Sequence, residues 1–142
     1  MEPGELAIVV LNRQRRRPID GARLRRVVRG AARALKVSGE LALVLAGDRT
    51  LRSLNARYRG KDRATDVLSF PGEPAAGALG DIVISVARAE RNARGLGRTL
   101  PQELDVLALH GFLHVLGYDH ESDDGAMERL ERRLRRRLLG RA

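Results

Sequence analysis

The stretch Thr99 to Gly117, TLPQELDVLALHGFLHVLG, constrains the fold more than any other part of the chain. Thr99 and Gln102 have the spacing of a capping box, and Pro101 falls in the first turn, where its missing N–H is no loss. Gly117 stands where a left-handed turn would end the helix. Between these signals Leu104, Val106, Leu107, Leu109, Phe112, Leu113, Val115 and Leu116 make the helix apolar nearly all round. A helix without a polar face belongs in the interior, so other elements must cover it on several sides.

The remaining elements can supply that cover. Leu6 to Leu11 reads as a buried strand, and Asp20 then caps a helix on which Leu24, Val28, Ala31 and Leu35 recur at helical spacing. Arg23, Arg26, Arg29 and Arg33 take the outer side of that helix and form the main basic surface candidate. Leu41 to Ala46 is apolar on both faces, as in a central strand. Asp48 begins a helix with Leu51, Leu54 and Tyr58 inward, ended by Gly60. Val67 to Phe70 and Asp81 to Ser85 are two short strands, separated by the Pro- and Gly-rich loop PGEPAAGALG, which is expected to move. Helices are expected near residues 86 to 95, 100 to 116 and 123 to 139, the last packing Met127, Leu130, Leu134 and Leu138 on the core. The expected fold is α/β, a small mixed sheet of about four strands packed with about five helices. A chain of 142 residues fits one domain spanning 1–142.

With no cysteine, disulfides, thiolate metal sites and cysteine nucleophiles are excluded, and any metal must rest on histidine, carboxylate or solvent. The one early apolar run is too short to cross a bilayer, and the chain reads as soluble and cytoplasmic. The net charge of +9 is uneven: the first 36 residues hold ten cations against three acids. Arginine forks suit phosphate, so a nucleic-acid partner is one reading. A genome biased toward GC-rich codons, which would enrich Arg, Ala and Gly and leave only a solvated face, is the other.

All three histidines lie within HGFLHVLGYDH. His110 and His114 are four residues apart and stack on one helix face, and after the turn at Gly117 the chain presents His120, which can swing back to the same point. Three imidazoles with a position left open to water form the pattern of a catalytic zinc site. The spacing H-x-x-x-H-x-x-G-x-x-H is also that of the metzincin proteases, which carry a glutamate base after the first histidine. Here that position is Gly111, so a peptidase would lack its proton acceptor, and the glycine would leave room beside the metal for something as bulky as a sugar-phosphate backbone. A second group, YRGKDRATDVLSFP, places Arg59, Lys61 and Arg63 on a loop feeding a strand, either to reach phosphate or as ordinary surface charge. Asp66 could orient an imidazole or cap a turn.

Tyr58-Arg59, Thr65 to Pro71, Gly80-Asp81-Ile82 and HGFLHVLGYDH together resemble the YbeY family of bacterial endoribonucleases. The resemblance implies a small α/β fold, one metal, generally zinc, on His110, His114 and His120, and Arg59 as the basic residue needed for RNA cleavage. It also implies a role in ribosomal RNA maturation and ribosome quality control, with ribosomal RNA, and with it the ribosome and its proteins, as partners. Ala64 and Val115 depart from the usual family residues without removing a ligand. The competing classes are a metallopeptidase of metzincin type, against which Gly111 argues, and a non-catalytic ribosome-associated factor with a structural zinc. The latter would need a fourth ligand, for which Asp119 and Glu121 are candidates, though these acids with Asp123 and Asp124 also suit the first turn of a last helix capped by Ser122.

Overall fold

The four apolar runs become the strands of one mixed sheet. The structure, a computed structural model, describes residues 5–119 and 124–140. The strands are β1 (Leu6–Asn12), β2 (Gly39–Ala46), β3 (Val67–Pro71) and β4 (Ala78–Ser85), in the spatial order β1-β2-β4-β3. β1, β2 and β4 run parallel, and β3 is antiparallel to β4. Alternation along the central strands sends Leu41, Leu43, Leu45, Ile82 and Ile84 into the larger core and Val44, Ala46 and Val83 into a smaller one on the other face.

The helices are α1 (Gly21–Leu35), α2 (Asp48–Arg59), α3 (Val86–Leu96), α4 (Leu100–Val115) and α5 (Ala126–Leu139). α4 touches β3, β4, α1, α3 and α5, the cover its all-round apolar sequence demands. Its capping box forms as expected: Gln102 N donates to Thr99 Oγ1 at 3.2 Å and Thr99 N to Gln102 Oε1 at 2.9 Å. At the other end Gly117, with φ +100°, turns the chain, and Tyr118 N donates back to Leu113 O at 3.1 Å. Phe112, fully buried in α4, anchors the larger core, where truncation to alanine typically costs about 3–5 kcal/mol. α2 packs on the opposite face of the sheet through Leu51 and Leu54.

Several details differ from the sequence reading. Tyr58 is 60% exposed and stands outside the smaller core, its ring edge-on to Phe70 with centroids 5.4 Å apart and its face 5.9 Å from the Arg57 guanidinium. Two of the four arginines of the α1 stripe are tied down, Arg23 to the buried Asp105 at 2.8 Å and Arg29 Nε to Leu6 O at 3.3 Å, while Arg26 and Arg33 are exposed. Arg16 and Arg17 likewise both bind Glu90, so much of the N-terminal charge holds the fold together. The loop between β3 and β4 contains a 3-10 turn at Pro74–Ala76 and is tied to β2 by Glu40 N donating to Gly77 O at 2.8 Å. The N-cap of α5 is Gly125, not Ser122, which lies outside the described residues.

Candidate active site

The four-residue spacing on α4 brings His110 and His114 together. Their ring centroids are 4.6 Å apart at 73°, and the two Nε2 atoms face each other at 3.1 Å. From α5, Glu131 Oε1 lies 2.6 Å from His110 Nδ1. A carboxylate there favours the tautomer with its proton on Nδ1, in which the Nε2 lone pair faces His114. The contact comes from a residue that local sequence pattern does not connect to the histidines. Glu131 follows Met127 by four residues and precedes Leu134 by three, so an acid at a core-facing position was the available signal.

The pair opens on a cleft of about 550 Å³ whose other wall is cationic, carrying Arg59, Lys61 and Arg63. Arg59 is the last residue of α2, which Gly60 ends in the left-handed region at φ +66°. Its Nη2 donates to Ser69 O at 3.0 Å, and the buried Ser69 Oγ donates to Gly111 O at 2.9 Å. Two hydrogen bonds therefore link the arginine to the residue next to His110. The loop carrying Lys61 and Arg63 is shaped by buried Asn55, whose Nδ2 donates to Arg63 O at 3.0 Å, and by a two-bond pair between Arg52 and Asp62 at 2.8 and 3.2 Å. The hydrogen bond and charge of Arg52 hold the Asp62 carboxyl below its usual range.

Two expectations are corrected here. Asp66 does not orient an imidazole; its Oδ2 accepts from Asn92 Nδ2 at 3.2 Å, and Asn92 also donates to Glu103. Gly111 does not leave space for substrate. A Cβ there would lie 2.7 Å from Ile82 Cγ2 and 3.2 Å from Val67 Cγ2, so the missing side chain is used to bring α4 down onto the sheet. The geometry thus unites His110, His114 and Arg59. His120, with Glu121, lies outside the described residues, and among the described residues no group of three metal-binding side chains converges. Asp119 is exposed beyond the end of α4.

Buried acids on α4 also went unread. Glu103 is bound by Arg98 at 2.6 Å, and Asp105 by Arg23, its carboxyl pushed up by burial against the pull of that arginine. Acids inside an otherwise apolar helix were the clue.

Fold and site together define an α/β protein with a cationic cleft centred on a carboxylate-oriented histidine pair. The profile of the Endoribonuclease YbeY family matches residues 9–139, and the chain belongs to that family. It is 53% identical over 96 residues to the Endoribonuclease YbeY of Solibacter usitatus, covering 67% of this chain and 63% of that protein. With the Endoribonuclease YbeY of Anaeromyxobacter dehalogenans it shares 49% identity over 127 residues, 82% of this chain and 66% of the relative. The match therefore spans a little under two thirds of each of these two proteins. With the Endoribonuclease YbeY of Pelotomaculum thermopropionicum, 40% identity extends over 96% of this chain and 97% of the relative. The solution structure of TM1509 from Thermotoga maritima superposes with a TM-score of 0.64 at 27% identity, covering 95% of this chain and 89% of that one.

Proposed function

We propose that the chain is a metal-dependent endoribonuclease that cleaves single-stranded RNA in ribosomal RNA maturation and ribosome quality control, in the cytoplasm, with one zinc ion as cofactor. The observation that carries this reading is the histidine pair sharing a cleft with Arg59, in a chain whose relatives bear the name Endoribonuclease YbeY. The donor set fits the metal. Two nitrogens on one tetrahedral zinc, each bonded at about 2.0–2.1 Å, stand roughly 3.3 Å apart, close to the 3.1 Å between the Nε2 atoms. His110, His114 and, from beyond the described residues, His120 would hold the ion. Bound there, it would supply Lewis-acid polarisation at a phosphodiester.

The protein's own groups do the rest. The Arg59 guanidinium offers a planar fork to phosphate oxygens and stabilises the charge that grows on them in the transition state, held in place through Ser69. Lys61 and Arg63 bind adjoining phosphates along the same wall. Glu131 keeps the His110 proton on Nδ1. RNA carries its own nucleophile in the 2′-hydroxyl, so a missing protein base is less damaging here than in a protease.

A metzincin-type peptidase is disfavoured, because the position of its glutamate is filled by the sheet: no side chain fits at Gly111. A closed structural zinc is disfavoured because the His110 side chain is 30% exposed and borders the cleft. Incubation of ribosomal RNA with the protein should give new internal ends that disappear on chelation and return with zinc. RNA left intact under all three conditions would contradict the proposal. The chemistry of those ends identifies the nucleophile: cyclic phosphates mean attack by the 2′-hydroxyl, and 5′-phosphates mean attack by water.

A further inference from the structure

We infer that the outer face of α5 is a docking surface for the phosphate backbone of single-stranded RNA, an inference that rests on RNA being the substrate. α5 holds six arginines against two glutamates. Arg129, Arg133, Arg136 and Arg137 recur at intervals that put them on one side of the helix, a stripe about 12 Å long at 1.5 Å per residue. All four are exposed. Arg132 pairs with Glu128 and Arg129 donates to Asp124 O, but among the described residues Arg133, Arg136 and Arg137 make no ion pair or hydrogen bond. The contrast with α1 is direct, since Arg23 and Arg29 there are committed to Asp105 and Leu6.

Two features favour a polyanion over a merely solvated face. Like charges at i,i+3 and i,i+4 oppose helix formation, a cost that bound phosphates would offset. The favourable dipole position of Arg136 and Arg137 in the last turn does not extend to Arg133. The opposite side of the helix is the one turned to the site, where Glu131 binds His110, and at its far end Leu138 and Leu139 share a groove of about 330 Å³ with Arg26 and with the Arg23–Asp105 pair. An anionic membrane is the poorer partner. Met127, Leu130 and Leu134 are already buried in the core, so α5 has no apolar face to insert.

The test is a salt titration of binding to an oligouridylate of about 20 nucleotides, measured by fluorescence anisotropy. Wild type is compared with the Arg133→Gln, Arg136→Gln, Arg137→Gln triple variant and with the matching triple lysine variant, after thermal melting confirms that all are folded. Loss of three single-strand phosphate contacts should reduce the slope of log K against log salt by about 2, which makes the wild type gain roughly twentyfold more affinity than the glutamine variant between about 200 and 50 mM salt. The lysine variant should keep the wild-type slope. Equal slopes in wild type and glutamine variant would overturn the inference. So would a glutamine variant that binds RNA normally but loses binding to phosphatidylserine vesicles. Failure of the nuclease proposal is read separately: RNA left uncut by the wild type, with the slope change intact, keeps the docking surface and removes the enzyme.

Discussion

At the scale of single residues, the histidine pair is backed by a carboxylate from another helix. Glu131 Oε1 stands 2.6 Å from His110 Nδ1 and favours the tautomer protonated there. Partners of this kind are typically worth about 10–100-fold in metal affinity. Glu131→Gln keeps the shape and weakens the acceptor, so zinc affinity measured by competition with a chelating dye should fall by about that factor while the fold persists. Unchanged affinity would mean that the carboxylate does not act through the imidazole. The histidine pair was legible because a four-residue spacing on one helix determines where it goes, whereas Arg59 was singled out by resemblance and stands at the end of α2 rather than on the loop expected to carry it. Glu131 and Ser69 were not legible, because their roles come from contacts across 21 and 42 positions in sequence, which no local pattern records.

At the scale of elements, the sequence is most readable where one rule governs a segment. The capping box at Thr99, the αL stop at Gly60 and the central strand at Leu41 to Ala46, apolar on both faces, are local, and each stands where the pattern puts it. Tyr58 shows the limit: helical periodicity points it inward, but at the last turn of α2 it meets the edge strand through Phe70 and stays 60% exposed. Gly111 shows another, since an absent side chain reads from sequence as empty space and in the fold is close packing. Gly111→Ala forces a methyl to within 2.7 Å of Ile82, and overpacking of this kind costs about 1–3 kcal/mol. Denaturant unfolding should show that loss. A variant as stable as wild type would mean that α4 can lift from the sheet freely.

At the scale of the whole molecule, the arginines divide into those that hold the fold and those that face outward. Arg17 and Arg16 bind Glu90 from the segment before α1, and their hydrogen bonds hold its carboxyl below the usual carboxylate range. A depressed folded value means stability that is present above the unfolded pKa of about 4.3 and is lost as pH falls through the folded one. Thermal midpoints of wild type and Glu90→Gln should therefore differ most at neutral pH and converge below about pH 4. Asp105, pushed up by burial, has the opposite sign, but it is common to both proteins and cancels in the comparison. A constant difference across that range would assign the effect of Glu90 to packing. The uneven charge was visible in the sequence, yet its division between internal ties and outward stripe required the partners to be seen.

The central claim is that metal held by the histidine pair and the guanidinium of Arg59 act together on RNA. The most direct measurement incubates ribosomal RNA with wild type, Arg59→Ala and His114→Ala, mapping new ends and measuring bound zinc in the same preparations. The account predicts that only the wild type cuts, that Arg59→Ala retains zinc, and that His114→Ala loses it. Equal cleavage by all three, or stoichiometric zinc in His114→Ala, would contradict it.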